Sequence, residues 1–145
     1  MAILIDTNIL LRSVQTHHPH YALAERALAA LRADKEPLHV AVQNFVEFWT
    51  VATRPVESNG LGMTTEEATQ ELAILKDLFR LLTEPGSIFE EWERLVTTCR
   101  VSGKNTHDAR LAATMRLHGI TKTLTFNGSD FRRFPGITVL DPTQF

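Results

Sequence analysis

MAILIDTNILL, residues 1–11, decides how the rest of the chain is read. Residues 2–5 form an unbroken apolar run with β-branched content, the pattern of a central parallel strand buried on both faces. Asp6 ends that run, Thr7 and Asn8 follow, and apolar character resumes with Ile9, Leu10 and Leu11. A carboxylate at this handover has two explanations. It caps the segment that begins at Thr7, or it projects from the carboxyl end of a strand, where open parallel sheets bind their ligands.

The surrounding chain favours such a sheet. At 145 residues, with 43% hydrophobic and 22% charged residues, it has the composition of a single globular domain spanning 1–145 that buries a core without disulfides. Cys99 is the one cysteine, which excludes an internal disulfide and fits a reducing compartment. A net charge of −2 gives no global field toward nucleic acid, so any such contact must come from a local basic patch. No stretch approaches the roughly 20 apolar residues of a membrane span, and the first apolar run lacks the basic flank of a signal peptide. A cytoplasmic protein with no membrane contact is expected.

Beyond the first strand, Leu23, Ala24, Ala27, Leu28 and Leu31 recur at helical spacing after Pro19. Residues 38–42 read as a second strand, and QNFVEFWTVATRP as a helix stopped by Pro55. VESNGLGM reads as a loop and the chain's most flexible stretch. Thr64 and Glu67 form a capping box for a helix running to about Arg80. Residues 81–83 read as a third strand, and Ser87 as the cap of a helix with Phe89, Trp92, Leu95 and Val96 on its inner face. A cap at Thr106 and Gly119 bracket a helix whose core stripe includes Leu111, Ala112, Met115 and Leu117. KTLTF and GITVLDP are the last two strands. Strands separated by helices of this length imply right-handed crossovers, hence a three-layer α/β/α domain with a central parallel sheet of four to five strands.

That topology selects a set of polar residues at one sheet edge. Asp6 follows the first strand, Asp108 lies in the first turn of the helix before the penultimate strand, and Asn127 and Asp130 follow that strand in TFNGSDF. Glu47 lies in the helix after strand two, on a polar stripe with Gln43, Asn44, Thr50 and Arg54 that faces either the sheet edge or water. Each has a purely structural explanation: caps for Asp6 and Asp130, helix-dipole complementation for Asp108, solvation for Glu47 and a turn for Asn127-Gly128. Together they point elsewhere. Converging carboxylates raise one another's pKa unless a cation sits among them. A hard divalent ion such as Mg²⁺ or Mn²⁺ takes oxygen ligands and pairs with substrate phosphates, which implies phosphodiester hydrolysis.

LIDTNILL, Glu47 within VQNFVEFW, THDARLAA around Asp108, and TLTFNGSDFRRFPGITVLDP together resemble the PIN domain family, and within it the VapC ribonuclease toxins of toxin-antitoxin pairs. The resemblance implies a Mg²⁺-dependent endoribonuclease, with Mn²⁺ as a possible substitute, whose acidic pocket corresponds to Asp6, Glu47 and Asp108 and is completed from TFNGSDF. It implies direct metal contact for Asp6 and Asp108. Glu47 orients water or holds a second ion, and Thr7 and Thr125 fix carboxylate rotamers. One departure stands out: many family members carry an aspartate where this chain has Asn127, so the pocket is completed either by the Asn127 amide, which can ligate or position water but brings no charge, or by Asp130, the favoured fourth carboxylate. The resemblance further implies a VapB-like antitoxin that silences the RNA-cleaving site, and a homodimer built on the helices after strands two and three.

Lys104, Arg110, Arg132 and Arg133 offer a basic rim for RNA phosphates, or ordinary surface charge. His17, His18 and His20 are interrupted by Pro19 and read as a solvated loop rather than a zinc site. Two other function classes remain open at this point. One is a catalytically idle PIN-like module binding RNA or protein, with Asn127 as its support. The other is a phosphoryl-transfer domain with Asp6 as nucleophile, weakened by Asn8 in place of a second aspartate.

Overall fold

The computed structural model describes residues 2–145. Five short strands form one sheet: β1 (Ile3–Ile5), β2 (Leu38–Val40), β3 (Arg80–Leu81), β4 (Lys122–Leu124) and β5 (Thr138–Leu140). Every pairing is parallel and the order is β3-β2-β1-β4-β5. β1 is therefore central, flanked by β2 and β4, and all three of its residues are buried. The winding direction reverses between β1 and β4. In open α/β sheets a crevice forms at such a switch point, beyond the carboxyl ends of the two strands.

The pleat of β1 divides the core. Ile3 and Ile5 pack with Ile9, Leu10, Leu28, Phe48 and Leu75 on one face, and Leu4 packs with Leu95, Leu111, Met115 and Phe131 on the other. The first face is covered by α1 (Thr7–Val14), α2 (Tyr21–Ala33), α3 (Val42–Thr53) and α4 (Thr65–Leu78). The second is covered by α5 (Ile88–Thr98) and α6 (Asn105–Leu117), giving the expected α/β/α layers.

Several local expectations need correction. The segment after Asp6, for which the sequence pattern predicts no element, is a helix, α1, whose Ile9, Leu10 and Leu11 are all buried. Strand two ends at Val40, because Val42 already opens α3. The capping box of Thr64 and Glu67 is present, but α4 stops at Leu78, and Arg80 and Leu81 become an exposed edge strand in place of residues 81–83. Ser87 precedes α5 without a side-chain cap, and Phe89 points outward at 59% exposure while Leu95 holds the inner face. Leu117 likewise leaves the α6 core stripe. Thr106 is no N-cap: α6 begins at Asn105, and the Thr106 hydroxyl donates to the Gly103 carbonyl. Gly119 does end α6 in the left-handed region, at φ +69°.

VESNGLGM is not a free loop. The amides of Leu61, Gly62 and Met63 donate to the carbonyls of Val51, Arg54 and Ala52, which folds the segment back onto the end of α3. A Cβ built at Gly60 would lie 2.0 Å from the Arg54 carbonyl oxygen. Gly60→Ala is therefore expected to lower unfolding free energy by about 2 kcal/mol or more, measured by chemical denaturation, because backbone must move to admit the methyl.

Candidate active site

The site forms where the sequence rule located it, around the carboxyl ends of β1 and β4. Asp6 is the N-cap of α1 and its Oδ1 accepts from the Thr7 amide at 2.8 Å, so the capping explanation is correct as far as it goes. Its second oxygen is committed elsewhere. Oδ2 accepts from the Thr125 hydroxyl at 2.7 Å, across the β1–β4 boundary. The Thr125 oxygen in turn accepts from Asn8 Nδ2 at 3.1 Å and from the Asn127 amide at 3.0 Å, so the hydroxyl donates once and accepts twice. Asn8 Oδ1 closes the ring by accepting from the Phe126 amide. This network locks the Asp6 carboxylate in one rotamer.

Thr7 supports a different contact from the one expected. Its backbone serves Asp6, while its hydroxyl accepts from Nδ2 of Asn44, which is fully buried and also receives the Ala41 amide at 2.8 Å. Asn44 thereby caps the start of α3 and joins it to the start of α1. Next to it, Gln43 Nε2 donates to Glu47 Oε1 at 2.9 Å and to the His107 carbonyl at 2.8 Å. The polar stripe of α3 thus faces the sheet edge at Gln43, Asn44 and Glu47.

The remaining carboxylates lie close enough to repel one another. Burial pushes the Asp6 pKa up to about 6 against the pull of its Thr125 and Thr7 hydrogen bonds, and the charges of Glu47 and Asp130 raise it further. Burial also pushes Asp108 up to about 7, reinforced by Asp130, Asp6 and Glu47 and opposed by Arg133. Asp6, Glu47, Asp108 and Asp130 therefore share one field, and Asp130 supplies the fourth charge. Asn127 contributes its backbone, giving its amide to Thr125 and its carbonyl to the Asp130 amide.

The basic residues separate on the same criteria. Arg133 is close enough to Asp108 to act on it. Arg110 is paired with Glu84, Arg132 lies against Gly128 and acts on Asp141, and Lys104 is exposed just before α6. Among the described residues, no ion pair engages any of the four carboxylates. In THHPH, the His20 amide donates to His18 Nδ1, and the His20 ring stacks on Phe126, just past β4, at 4.8 Å.

Among the described residues, no three Asp, Glu, His or Cys side chains converge tightly enough to enclose an ion. This oxygen-rich, open arrangement does not suit a zinc cage. Its chemistry is compatible with an ion that keeps several waters and takes one or two carboxylates, for which Asp6 and Asp108 are the candidate donors.

The PIN domain profile matches residues 3–137. The chain belongs to the PIN domain family. Ribonuclease VapC24 of Mycobacterium tuberculosis is 32% identical over 143 residues, which cover 95% of this chain and 94% of that one. Among solved structures, VapBC-1 from nontypeable Haemophilus influenzae superposes with a TM-score of 0.73 at 16% identity, covering 99% of both chains. VapC20 of Mycobacterium tuberculosis, a sarcin-ricin loop cleaving toxin, gives a TM-score of 0.65 at 24% identity over 88% of this chain and 92% of its own. These likenesses confirm the PIN fold, including the parallel sheet whose switch point holds the acidic cluster.

Asn8, Gln43 and Asn44 are the members of this PIN site that sequence reasoning missed. Their signal was present in the chain: each is a polar residue one to four positions from an acid or a strand end, at the lip of the predicted crevice.

An acid whose folded pKa lies above its unfolded value binds more protons when folded, so its stabilising contribution is present at low pH and is lost as pH rises through the folded pKa. For Asp6 that window runs from the ordinary value near 3.8 to about 6. In chelator at pH 8, Asp6→Asn is expected to melt higher than the unsubstituted protein. The underlying shift corresponds to at most about 3 kcal/mol, and the advantage should shrink toward pH 4 in thermal scans.

Proposed function

We propose that this PIN domain is a divalent-metal-dependent endoribonuclease and the toxin of a VapBC-type toxin-antitoxin pair. The observation that carries the reading is the group of four acids sharing one field, with Asp6 locked by hydrogen bonds and Asp6 and Asp108 both held above the ordinary carboxylate range. A nuclease relative spanning nearly the whole chain supports the choice of RNA as substrate.

Asp6 and Asp108 would hold Mg²⁺, with Mn²⁺ as a substitute. When bound, the ion makes water acidic enough to attack at neutral pH and offsets charge on the scissile phosphate. The chain's own groups do the rest. Thr125 and the Thr7 amide each hold one Asp6 oxygen and so fix the carboxylate in one rotamer at the strand ends. Glu47, held through Gln43, orients the attacking water and accepts its proton, and Asp130 adds the negative charge that Asn127 does not bring. Arg133, which already acts on Asp108, meets a phosphate flanking the cleavage point, while Lys104, Arg110 and Arg132 form a looser outer rim. Such contacts position RNA without reading its sequence.

The partner and the dimer belong to the same proposal. A VapB-like antitoxin would silence the site by placing a basic side chain among the acids. The exposed apolar residues Val42 and Val46 on α3, Leu81 on β3 and Phe89 on α5 support a homodimer built on α3 and α5. A cavity of about 330 Å³ lined by Val42, Phe45, Val46, Trp49, Leu72 and Leu81 lies within this apolar surface.

The test is RNA cleavage by the purified protein in Mg²⁺ or Mn²⁺, beside Asp6→Asn and Asp108→Asn. Cleavage is expected to need the metal, to stop with chelator, and to fall by at least about 100-fold in either variant. Equal RNA decay in all three proteins would leave a binding module without catalysis.

A further inference from the structure

Glu47 and Asp108 reach the crevice from helices on opposite faces of the sheet. α3 packs into the core with Ile3 and Ile5, and α6 into the core with Leu4. That packing fixes the two helix backbones but leaves the Glu47 side chain three rotatable bonds of its own. Gln43 spans this gap. Its Nε2 gives one hydrogen to Glu47 Oε1 at 2.9 Å, one helical turn along α3, and the other to the carbonyl of His107 at 2.8 Å, the residue before Asp108. Among the described residues, this is the side-chain hydrogen bond that joins α3 to α6.

The amide has one possible orientation. Both neighbours are acceptors, so turning it over would aim its oxygen at a carboxylate and a carbonyl. With both hydrogens given away, the buried Oε1 meets no protein donor. An apolar side chain of equal length would fill the same space without burying an unpaired oxygen. The two donated bonds are therefore what the glutamine supplies.

We propose that Gln43 is a positioning residue, an amide clamp that ties the Glu47 carboxylate to the first turn of α6 and so sets the spacing between Glu47 and Asp108. The inference rests on the ribonuclease reading above, but the clamp also acts on cation binding, which can be measured without RNA. A loosened Glu47 no longer lies at a fixed distance from Asp108, so both the cation's water shell and the attacking water lose a partner.

The test compares the full-length protein with Gln43→Met, which keeps length and bulk but has no donor, Gln43→Asn, whose amide is too short to reach both acceptors, Glu47→Ala, and the double variant Gln43→Met/Glu47→Ala. Both Gln43 variants are expected to lower kcat about tenfold with KM within about twofold, and to weaken Mn²⁺ binding by titration calorimetry several-fold, at near-native melting temperature. In the double variant, Gln43→Met should add less than about twofold to the loss from Glu47→Ala, since both act through one carboxylate. Unchanged kcat and Mn²⁺ affinity in both Gln43 variants, or losses that multiply in the double variant, would overturn the clamp. A protein that binds Mn²⁺ but cleaves no RNA would fail the ribonuclease reading alone, and the calorimetry would still decide the role of Gln43.

Discussion

Asp6 is a carboxylate held where water scarcely reaches it, with 9% of its surface exposed and Glu47, Asp108 and Asp130 within electrostatic range. The rest of the site exists to keep it there. Left alone, such a group would protonate or swing outward. Here one oxygen is pinned by the amide that begins α1 and the other by the Thr125 hydroxyl at the end of β4. The tension between burial, which raises its pKa, and these hydrogen bonds, which lower it, leaves the acid poised near neutrality. A cation bound there would tip that balance toward the charged form.

Topology explains why these groups meet. With β1 central and β4 beside it on the far side of the winding reversal, the strand ends carrying Asp6 and Thr125 are neighbours by register, Ile5 opposite Leu124. The helix starts then converge on the same edge: α1 through Asp6, α3 through Asn44 and Gln43, and α6 through its first turn. Side-chain amides join these starts to one another, Asn8 to Thr125, Asn44 to Thr7, and Gln43 to His107. The carboxylates are thus displayed by rigid elements and spaced by neutral donors, which orient charge without neutralising it.

How much of this could be read from the chain follows from where each signal lives. The apolar run before Asp6, the capping box of Thr64 and Glu67, and the strand after Gly119 are local patterns, and they predicted the sheet and its acidic edge. α1 was hidden because it is only eight residues long and follows a strand directly, so Asn8, Arg12 and Ser13 mark its polar face over barely two turns. β3 is two exposed residues on an edge and is defined by pairing with β2 rather than by its own composition. The polar stripe of α3 left the direction of Glu47 open, since Gln43 and Asn44 read equally as solvated residues. Only tertiary contact with Thr7 and His107 makes them buried donors. Beside Asn127, in the same loop, Asp130 lies close enough for its charge to act on both Asp6 and Asp108.

The claim that ties these observations together is that Asp6 and Asp108 are the two ends of one cation site. The most direct measurement is the anomalous difference density of crystals equilibrated with Mn²⁺. The account predicts a peak between the Asp6 and Asp108 carboxylates, within about 2.2 Å of an oxygen from each, and no such peak in Asp6→Asn crystals. Mn²⁺ bound elsewhere, or a crevice left empty at saturating Mn²⁺ with both carboxylates hydrogen-bonded only to protein and water, would contradict it.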